Sequence, residues 1–195
     1  ALTAATCSAY ASWTRKSVSS TTATTAISNR CTSNTCCYAC TAIAWVAAFE
    51  AKYSRFRPDS LISRINAAAG RAPVAIDAEM EGLLALCDRL HFMTQGVLDP
   101  TALPLLRLWD YKAPSPRLPT DVELAAAQRL VGWKKVQRTP GHVFLPEPGM
   151  ALDFGGFGKE FAVDRLLAMA LQQGIEHVLV DLGRDIATHG HPPGQ

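Results

Sequence analysis

From Met150 to Asp164 the chain reads Met-Ala-Leu-Asp-Phe-Gly-Gly-Phe-Gly-Lys-Glu-Phe-Ala-Val-Asp, with Gly155, Gly156 and Gly158 crowded into four positions. Neither a helix nor a strand tolerates that density of glycine in its interior, so the backbone has to turn here. Met150-Ala151-Leu152 is a short apolar run leaving the Pro146-Glu147-Pro148-Gly149 turn, which predicts a strand. Phe161, Ala162, Leu166, Met169 and Ala170 recur at helical spacing until Gly174 stops the pattern. His177 to Leu182 predicts a second strand, ended by Gly183. The order is strand, glycine turn, helix, strand. At such a turn the free N–H groups and dipole of the helix N-terminus favour an anion, and glycine lets a ligand come close to the backbone. Lys159 adds a full positive charge and Asp153 a carboxylate, which suits a phosphorylated ligand.

Two familiar glycine loops are excluded. A P-loop needs Ser or Thr after its lysine, where Glu160 stands, and a dinucleotide fingerprint starting at Gly156 needs Gly or Ala where Phe161 stands. A glycine turn that serves packing alone is the competing reading of the spacing by itself.

Other blocks give the loop a context. Asp153 to Asp164, followed by Val180-Asp181-Leu182-Gly183-Arg184-Asp185-Ile186, resembles the ApbE family signature, D-L-G-G-I-A-K-G-Y-A-V-D and then N-L-G-G-D-I. Ser54-Arg55-Phe56-Arg57-Pro58-Asp59-Ser60 with Ser63-Arg64-Ile65-Asn66 resembles the same family's S-x-Y-R-x-D-S-x-L-S-x-x-N block. Gly96-Val97-Leu98-Asp99-Pro100-Thr101, with Pro104-Leu105 and Leu108-Trp109, resembles its G-A-F-D-P-T-x-G-P-L-x-x-L-W block. Four blocks in order over roughly residues 42 to 190 are far more specific than one glycine loop. Three departures accompany them: Glu160 follows the lysine in place of glycine, Phe157-Gly158 replaces Ile-Ala, and Arg184 replaces the second glycine of the later block.

The resemblance implies an FAD:protein FMN transferase. A Mg²⁺ ion would neutralise the FAD pyrophosphate, and a threonine hydroxyl of a target flavoprotein would attack, leaving AMP and a phosphoester-linked FMN. On the matching positions it implies contacts to the flavin nucleotide from Phe56, Val97, Leu98, Asp99, Asp153 and Lys159, and a metal ligand in the main-chain carbonyl of Gly156. The third section of the family, with its H-x-x-D-P and D-A-x-A-T-A blocks, would follow residue 190. The chain is therefore expected to be a fragment lacking the C-terminal section, with the catalytic base and most metal ligands beyond Gln195. Family members are commonly exported and often lipid-anchored, which implies a periplasmic location or an anchor on the outer face of the inner membrane.

The first residues differ in composition from the rest. Ala, Thr, Ser and Cys make up 34 of the first 50, with no glycine or proline and no acidic residue before Glu50. Cys7, Cys31, Cys36, Cys37 and Cys40 lie here, leaving only Cys87 elsewhere. The stretch lacks the residues that turn the chain of a compact domain, and the opening strand pair that the family would show is absent. Residues 1–41 are set apart as an anomalous segment, with three readings. A zinc or disulfide cluster at Cys31, Cys36, Cys37 and Cys40 is weakened by the adjacent pair and by missing histidine spacing. A Ser/Thr-rich disordered leader is the second; the favoured one is a frameshifted or misassigned stretch. Family-like register begins at Ile43 to Tyr53, where Val46, Phe49 and Tyr53 share a helix face. Residues 42–195 are then the N-terminal and central part of the domain.

The intervening chain reads as scaffold. Asp77 predicts an N-cap for a helix whose face carries Met80, Leu83, Leu84, Cys87 and Leu90. Thr120 and Glu123 have capping-box spacing after the Ala113 to Pro119 link, in a helix that runs through Leu130 to Gly132. Trp133–Val136, the Thr139-Pro140-Gly141 turn and His142–Leu145 predict a hairpin. The mixture is α+β, with helices on a largely antiparallel sheet. A net charge of +2 gives no case for nucleic acid, and no run approaches the roughly 18 apolar residues of a membrane span.

Each candidate has a plainer reading. Asp153 and Asp99 are also turn formers, Lys159 a solvated helix-start lysine, and Phe56 a core residue. Cys87 reads as core, His189 with His191 as a tail, and Asp181 and Asp185 as secondary candidates. Three alternatives to transfer stay open: an FAD-binding or electron-transfer accessory without transferase activity, an assembly factor that has lost the nucleotide, and a Mg²⁺-dependent FAD pyrophosphatase in which water replaces threonine.

Overall fold

The computed structural model describes residues 34–109 and 117–191. Much of the anomalous segment, including Cys7 and Cys31, and most of the Ala113 to Pro119 link lie outside them. In chain order the elements are α1 (Asn34–Tyr53), α2 (Leu61–Ala67), β1 (Val74–Ala75), α3 (Ala78–Met93), α4 (Leu103–Leu106), α5 (Asp121–Arg129), a 3-10 turn (Trp133–Lys135), β2 (Gln137–Thr139), β3 (His142–Phe144), α6 (Gly158–Gln172), β4 (Val178–Asp181) and β5 (Ile186–His189). The chain divides into two compact units, residues 51–156 and residues 1–50 with 157–195. The α+β expectation holds: every strand pair among the described residues is antiparallel.

In the unit formed by residues 51–156, the sheet order is β1-β3-β2, with β3 central. Helix α3 starts as its sequence requires, the Asp77 carboxylate accepting the Met80 N–H at 3.1 Å. Its inner face of Met80, Leu83, Leu84 and Cys87 is buried, and Leu90 half-buried. Burial pushes the Cys87 thiol well above its ordinary range, as expected of a core cysteine. Lys52 bridges the start of α3, 2.6 Å from Asp77 and 2.9 Å from Glu79, and the Tyr53 hydroxyl donates to Glu79 at 2.8 Å. The capping box of α5 is complete in both directions between Thr120 and Glu123.

Two expectations in this unit fail for identifiable reasons. Trp133 does not open a strand. Its N–H donates to Asp99 Oδ2 at 3.0 Å and its indole Nε1 to Asp88 at 2.8 Å, so the chain coils into the 3-10 turn and pairing begins only at Gln137. Met150–Leu152 is buried but belongs to no strand. The polar groups of Leu152 are paired instead with the Asn66 side chain, through Leu152 N–H to Oδ1 at 2.7 Å and Nδ2 to the Leu152 carbonyl at 3.0 Å.

In the other unit, α6 buries Ala162, Val163, Leu166 and Ala170. Within this unit Phe49 stacks on Phe161 at 5.7 Å and on Trp45 at 5.0 Å, and the Tyr38 hydroxyl donates to the Leu166 carbonyl at 3.1 Å. β4 and β5 form a two-stranded hairpin, with Asp181 opposite Ile186 and Val178 opposite His189. His189 thus ends a strand rather than lying in a tail, and the His191 N–H donates to His177 Nδ1 at 3.0 Å.

Candidate functional site

Within residues 51–156 the first two blocks and the aspartate of the third meet. Residues 54–60 form two successive turns, held by Arg57 N–H to the Ser54 carbonyl at 3.2 Å and Ser60 N–H to the Arg57 carbonyl at 3.3 Å. The Ser63 hydroxyl braces them on the Arg57 carbonyl at 2.6 Å, and Ser60 caps α2 through Ser63 N–H at 3.0 Å. Arg55 and Phe56 occupy the first turn, the guanidinium 4.6 Å from the ring centroid. The Phe56 ring is 47% exposed, which excludes the core reading.

The same Arg55 lies 3.4 Å from the Asp153 carboxylate. Asp153 is fixed from three sides: its N–H donates to the Pro100 carbonyl at 2.8 Å, Asn66 holds the preceding Leu152, and its own Oδ1 accepts the Gly155 N–H at 3.1 Å. That last bond closes an Asx turn. A Cβ on Gly155 would stand 3.2 Å from one Asp153 carboxylate oxygen and 3.4 Å from the other, a tight fit that would press on the carboxylate. Gly156 is exposed, with open space where its side chain would be.

The Asp99 carboxylate faces inward. Oδ1 accepts the Thr101 N–H at 2.8 Å and hydroxyl at 2.6 Å, and Oδ2 accepts Trp133 N–H at 3.0 Å, with His91 Nδ1 3.9 Å away. Thr101, fully buried, in turn accepts the Gly132 N–H at 2.7 Å. Asp99 therefore builds the loop that carries its neighbours. Val97 is 90% exposed and Leu98 half-buried, with the Leu98 carbonyl 3.2 Å from His91 Nδ1.

Lys159 belongs to the other unit, in the first turn of α6. The N-cap there, Phe157, supplies no side-chain hydrogen bond. Lys159 Nζ pairs with the Asp185 carboxylate, and both side chains are largely covered. Asp185 follows the two-residue connection Gly183-Arg184 of the β4–β5 hairpin. Both connecting residues have positive φ, 68° and 83°, as a type I′ turn demands. Asp181 Oδ1 accepts the Arg184 N–H at 2.8 Å, and Leu182 N–H donates to the Asp185 carbonyl at 3.0 Å.

Sequence reasoning passed over Arg55, Thr101 and Asn66 as individual residues, although all three stand inside the quoted blocks. Their partners are distant in sequence or on the backbone, and only the block match pointed to them. Among the described residues no three His, Cys, Asp or Glu side chains converge to hold a metal. A cavity of about 260 Å³ lined by Ile76, Glu81, Leu84, Arg138 and His142, among others, includes none of the expected site residues.

The local geometry coincides with matches along most of the chain. The ApbE family model covers residues 17–195. An FAD:protein FMN transferase of Chlamydia muridarum is 32% identical over 146 residues, 73% of this chain and 46% of the relative. One from Vibrio cholerae is 30% identical over 140 residues, 70% of this chain and 42% of the relative. The chain thus spans less than half the length of these curated relatives. Among solved structures, the flavin transferase ApbE of Vibrio cholerae superposes with a TM-score of 0.73 at 26% identity, covering 79% of this chain and 50% of that one. The apo flavinyl transferase ApbE of Pseudomonas stutzeri gives 0.74 at 23% identity, covering 80% and 50%, a likeness of fold. A family match over residues 17–195, together with a 32% identical relative aligned over 73% of the chain, makes this protein a member of the ApbE family.

Proposed function

We propose that the protein, in its full length, transfers FMN from FAD to a threonine hydroxyl of a target flavoprotein and releases AMP. The observation that carries this is that Arg55 contacts both the Phe56 ring and the Asp153 carboxylate, in loops matching the family blocks in order. Phe56 presents half its surface to solvent, a platform for a flavin or adenine ring. A carboxylate repels phosphate, so Asp153 takes the role of acceptor for a nucleoside N–H or O–H donor. Arg55 limits its negative charge, and the Gly155 N–H fixes its orientation. Lys159, in the other unit, keeps the role its matching position implies, a cation for the pyrophosphate, in a first helical turn whose dipole favours anions. Val97 and Leu98 add apolar surface from the loop that Asp99 holds.

Magnesium fits these residues only in part. Mg²⁺ asks for near-octahedral oxygen coordination, much of it from substrate phosphates and water. Gly156, itself exposed, brings one main-chain carbonyl, and no acidic cluster joins it among the described residues. These residues alone do not make the metal site. The contribution of this chain is positioning and charge complementarity for phosphoryl transfer, both of which lower the barrier without a covalent intermediate. A periplasmic or membrane-anchored location goes with the reading.

The test uses the complete protein with FAD, Mg²⁺ and a flavoprotein domain carrying an acceptor threonine, followed by intact mass of the acceptor. A metal-dependent FMN adduct is expected. AMP and FMN released with the acceptor unmodified would make the protein a pyrophosphatase, and FAD retained intact would make it a binding accessory. Asp153→Ala is expected to abolish FAD retention; calorimetric binding equal to wild type would remove that residue from the site.

A further inference from the structure

We infer that Asp185 is a positioning residue for Lys159, an inference that rests on the reading of Lys159 as the pyrophosphate cation. A lysine side chain at a helix start ordinarily samples many rotamers in water, and its charge is then spread over a wide volume. Here Nζ is tied to the Asp185 carboxylate, with the two side chains 31% and 22% exposed. The backbone that carries the carboxylate is held on both sides. It stands immediately after the Gly183-Arg184 connection, whose ends are fixed by the Leu182 N–H to Asp185 carbonyl bond at 3.0 Å and by the pairing of Asp181 with Ile186. The Asp181 carboxylate, the other candidate partner in this hairpin, is occupied with the Arg184 N–H at 2.8 Å. The hairpin therefore presents one carboxylate to the first turn of α6, and Lys159 is the residue it holds.

The arrangement has a cost that makes it testable. A carboxylate beside an anion site repels phosphate, so Asp185 helps an anionic ligand only through Lys159 and opposes it when the ammonium is gone. A purely structural ion pair would leave affinity unchanged, rather than improved, when Asp185 is replaced after the ammonium has gone.

The experiment is a double-mutant cycle on FAD affinity in the full-length protein, with Asp185→Asn, Lys159→Gln and the combination, each checked for a cooperative melt. Asparagine keeps the size and turn preference of aspartate, so the hairpin survives. Asp185→Asn is expected to weaken FAD binding about fivefold or more, and Asp185→Glu to recover most of the loss. In the Lys159→Gln background the same Asp185→Asn change is expected to improve affinity; an unchanged affinity there would make the pair merely structural and overturn the positioning role. An equal loss in both backgrounds, or no loss in either, overturns the positioning role, whether or not FMN transfer is observed. Unchanged affinity in Lys159→Gln alone also overturns it, while leaving transfer itself to the acceptor assay.

Discussion

Asn66 does for Leu152 what a neighbouring strand would do: its Oδ1 accepts the Leu152 N–H at 2.7 Å and its Nδ2 donates to the Leu152 carbonyl at 3.0 Å. Leu152 is fully buried, so these backbone groups have no water to turn to. Removing the amide leaves both unpaired, a penalty of about 1–3 kcal/mol for each group. Asn66→Ala is expected to lower stability by roughly 2–4 kcal/mol in urea unfolding. Asn66→Asp is expected to do no better, because a carboxylate oxygen would then face the Leu152 carbonyl. A loss below about 0.5 kcal/mol for Asn66→Ala, the range of ordinary surface substitutions, would mean that the segment finds other partners.

Arg184 occupies a left-handed position, φ 83°, that the hairpin turn imposes and that the family motif fills with glycine. An L side chain there costs about 1–2 kcal/mol, partly offset in a glycine variant by the greater freedom of the unfolded chain. Arg184→Gly is expected to raise stability by about 0.5–1 kcal/mol, a difference between those two terms. Arg184→Ala, which keeps the strain, is expected to give no gain. Equal melting temperatures for the two variants would show that the greater freedom of glycine in the unfolded chain cancels the relief of strain.

The parts of the fold that were readable from sequence depend on neighbours a few residues away. Asp77 capping Met80, the reciprocal Thr120–Glu123 box and the buried face of α3 all follow from spacing within one or two turns. The misread parts are decided at long range. Trp133 loses its strand to Asp99, 34 positions earlier, and Leu152 pairs with a side chain 86 positions away. The site was legible through its blocks rather than its contacts: Phe56, Asp153 and Lys159 were singled out, but their partners Arg55 and Asp185 were not assigned to them. Asp99 illustrates the limit. Its type and place suited a ligand contact or a turn, and only the four contacts of its carboxylate display the turn.

Asp88 gives the unit of residues 51–156 a pH dependence. Arg138 donates to both of its oxygens at 2.8 Å, and Trp133 Nε1 adds a third bond at 2.8 Å. The Arg138 hydrogen bonds hold its carboxyl below the usual range against the opposing effect of burial, and Lys52 does the same for Asp77. A depressed folded pKa means stability present above the unfolded value, about 3.9, and lost as pH falls through the folded one. Stability is therefore expected to hold down to about pH 5 and to decline below about pH 4. The Asp88 side chain is 46% exposed, so its pair accounts for under about 1 kcal/mol of the fall. Asp88→Asn should make the acid decline shallower in denaturant titrations at fixed pH; an unchanged slope would assign it to other carboxylates.

Phe56 allows the proposed ligand role to be tested apart from folding. The residue is 47% exposed and carries the Arg55 guanidinium 4.6 Å from its ring centroid, so shortening it removes surface that faces solvent. Stacking of a base-like ring on an aromatic side chain contributes about 1–3 kcal/mol. Phe56→Ala in the full-length protein is expected to weaken FAD binding roughly 5- to 150-fold, the range those energies convert to. Phe56→Trp, which enlarges the platform, is expected to keep or improve affinity. The melting temperature of both variants should stay within a few degrees of wild type. Quenching of flavin fluorescence on titration reads the affinity directly. If Phe56→Ala binds FAD as tightly as the native protein, the ring stacks on no part of the nucleotide, and the contact with Arg55 is part of the loop's own structure.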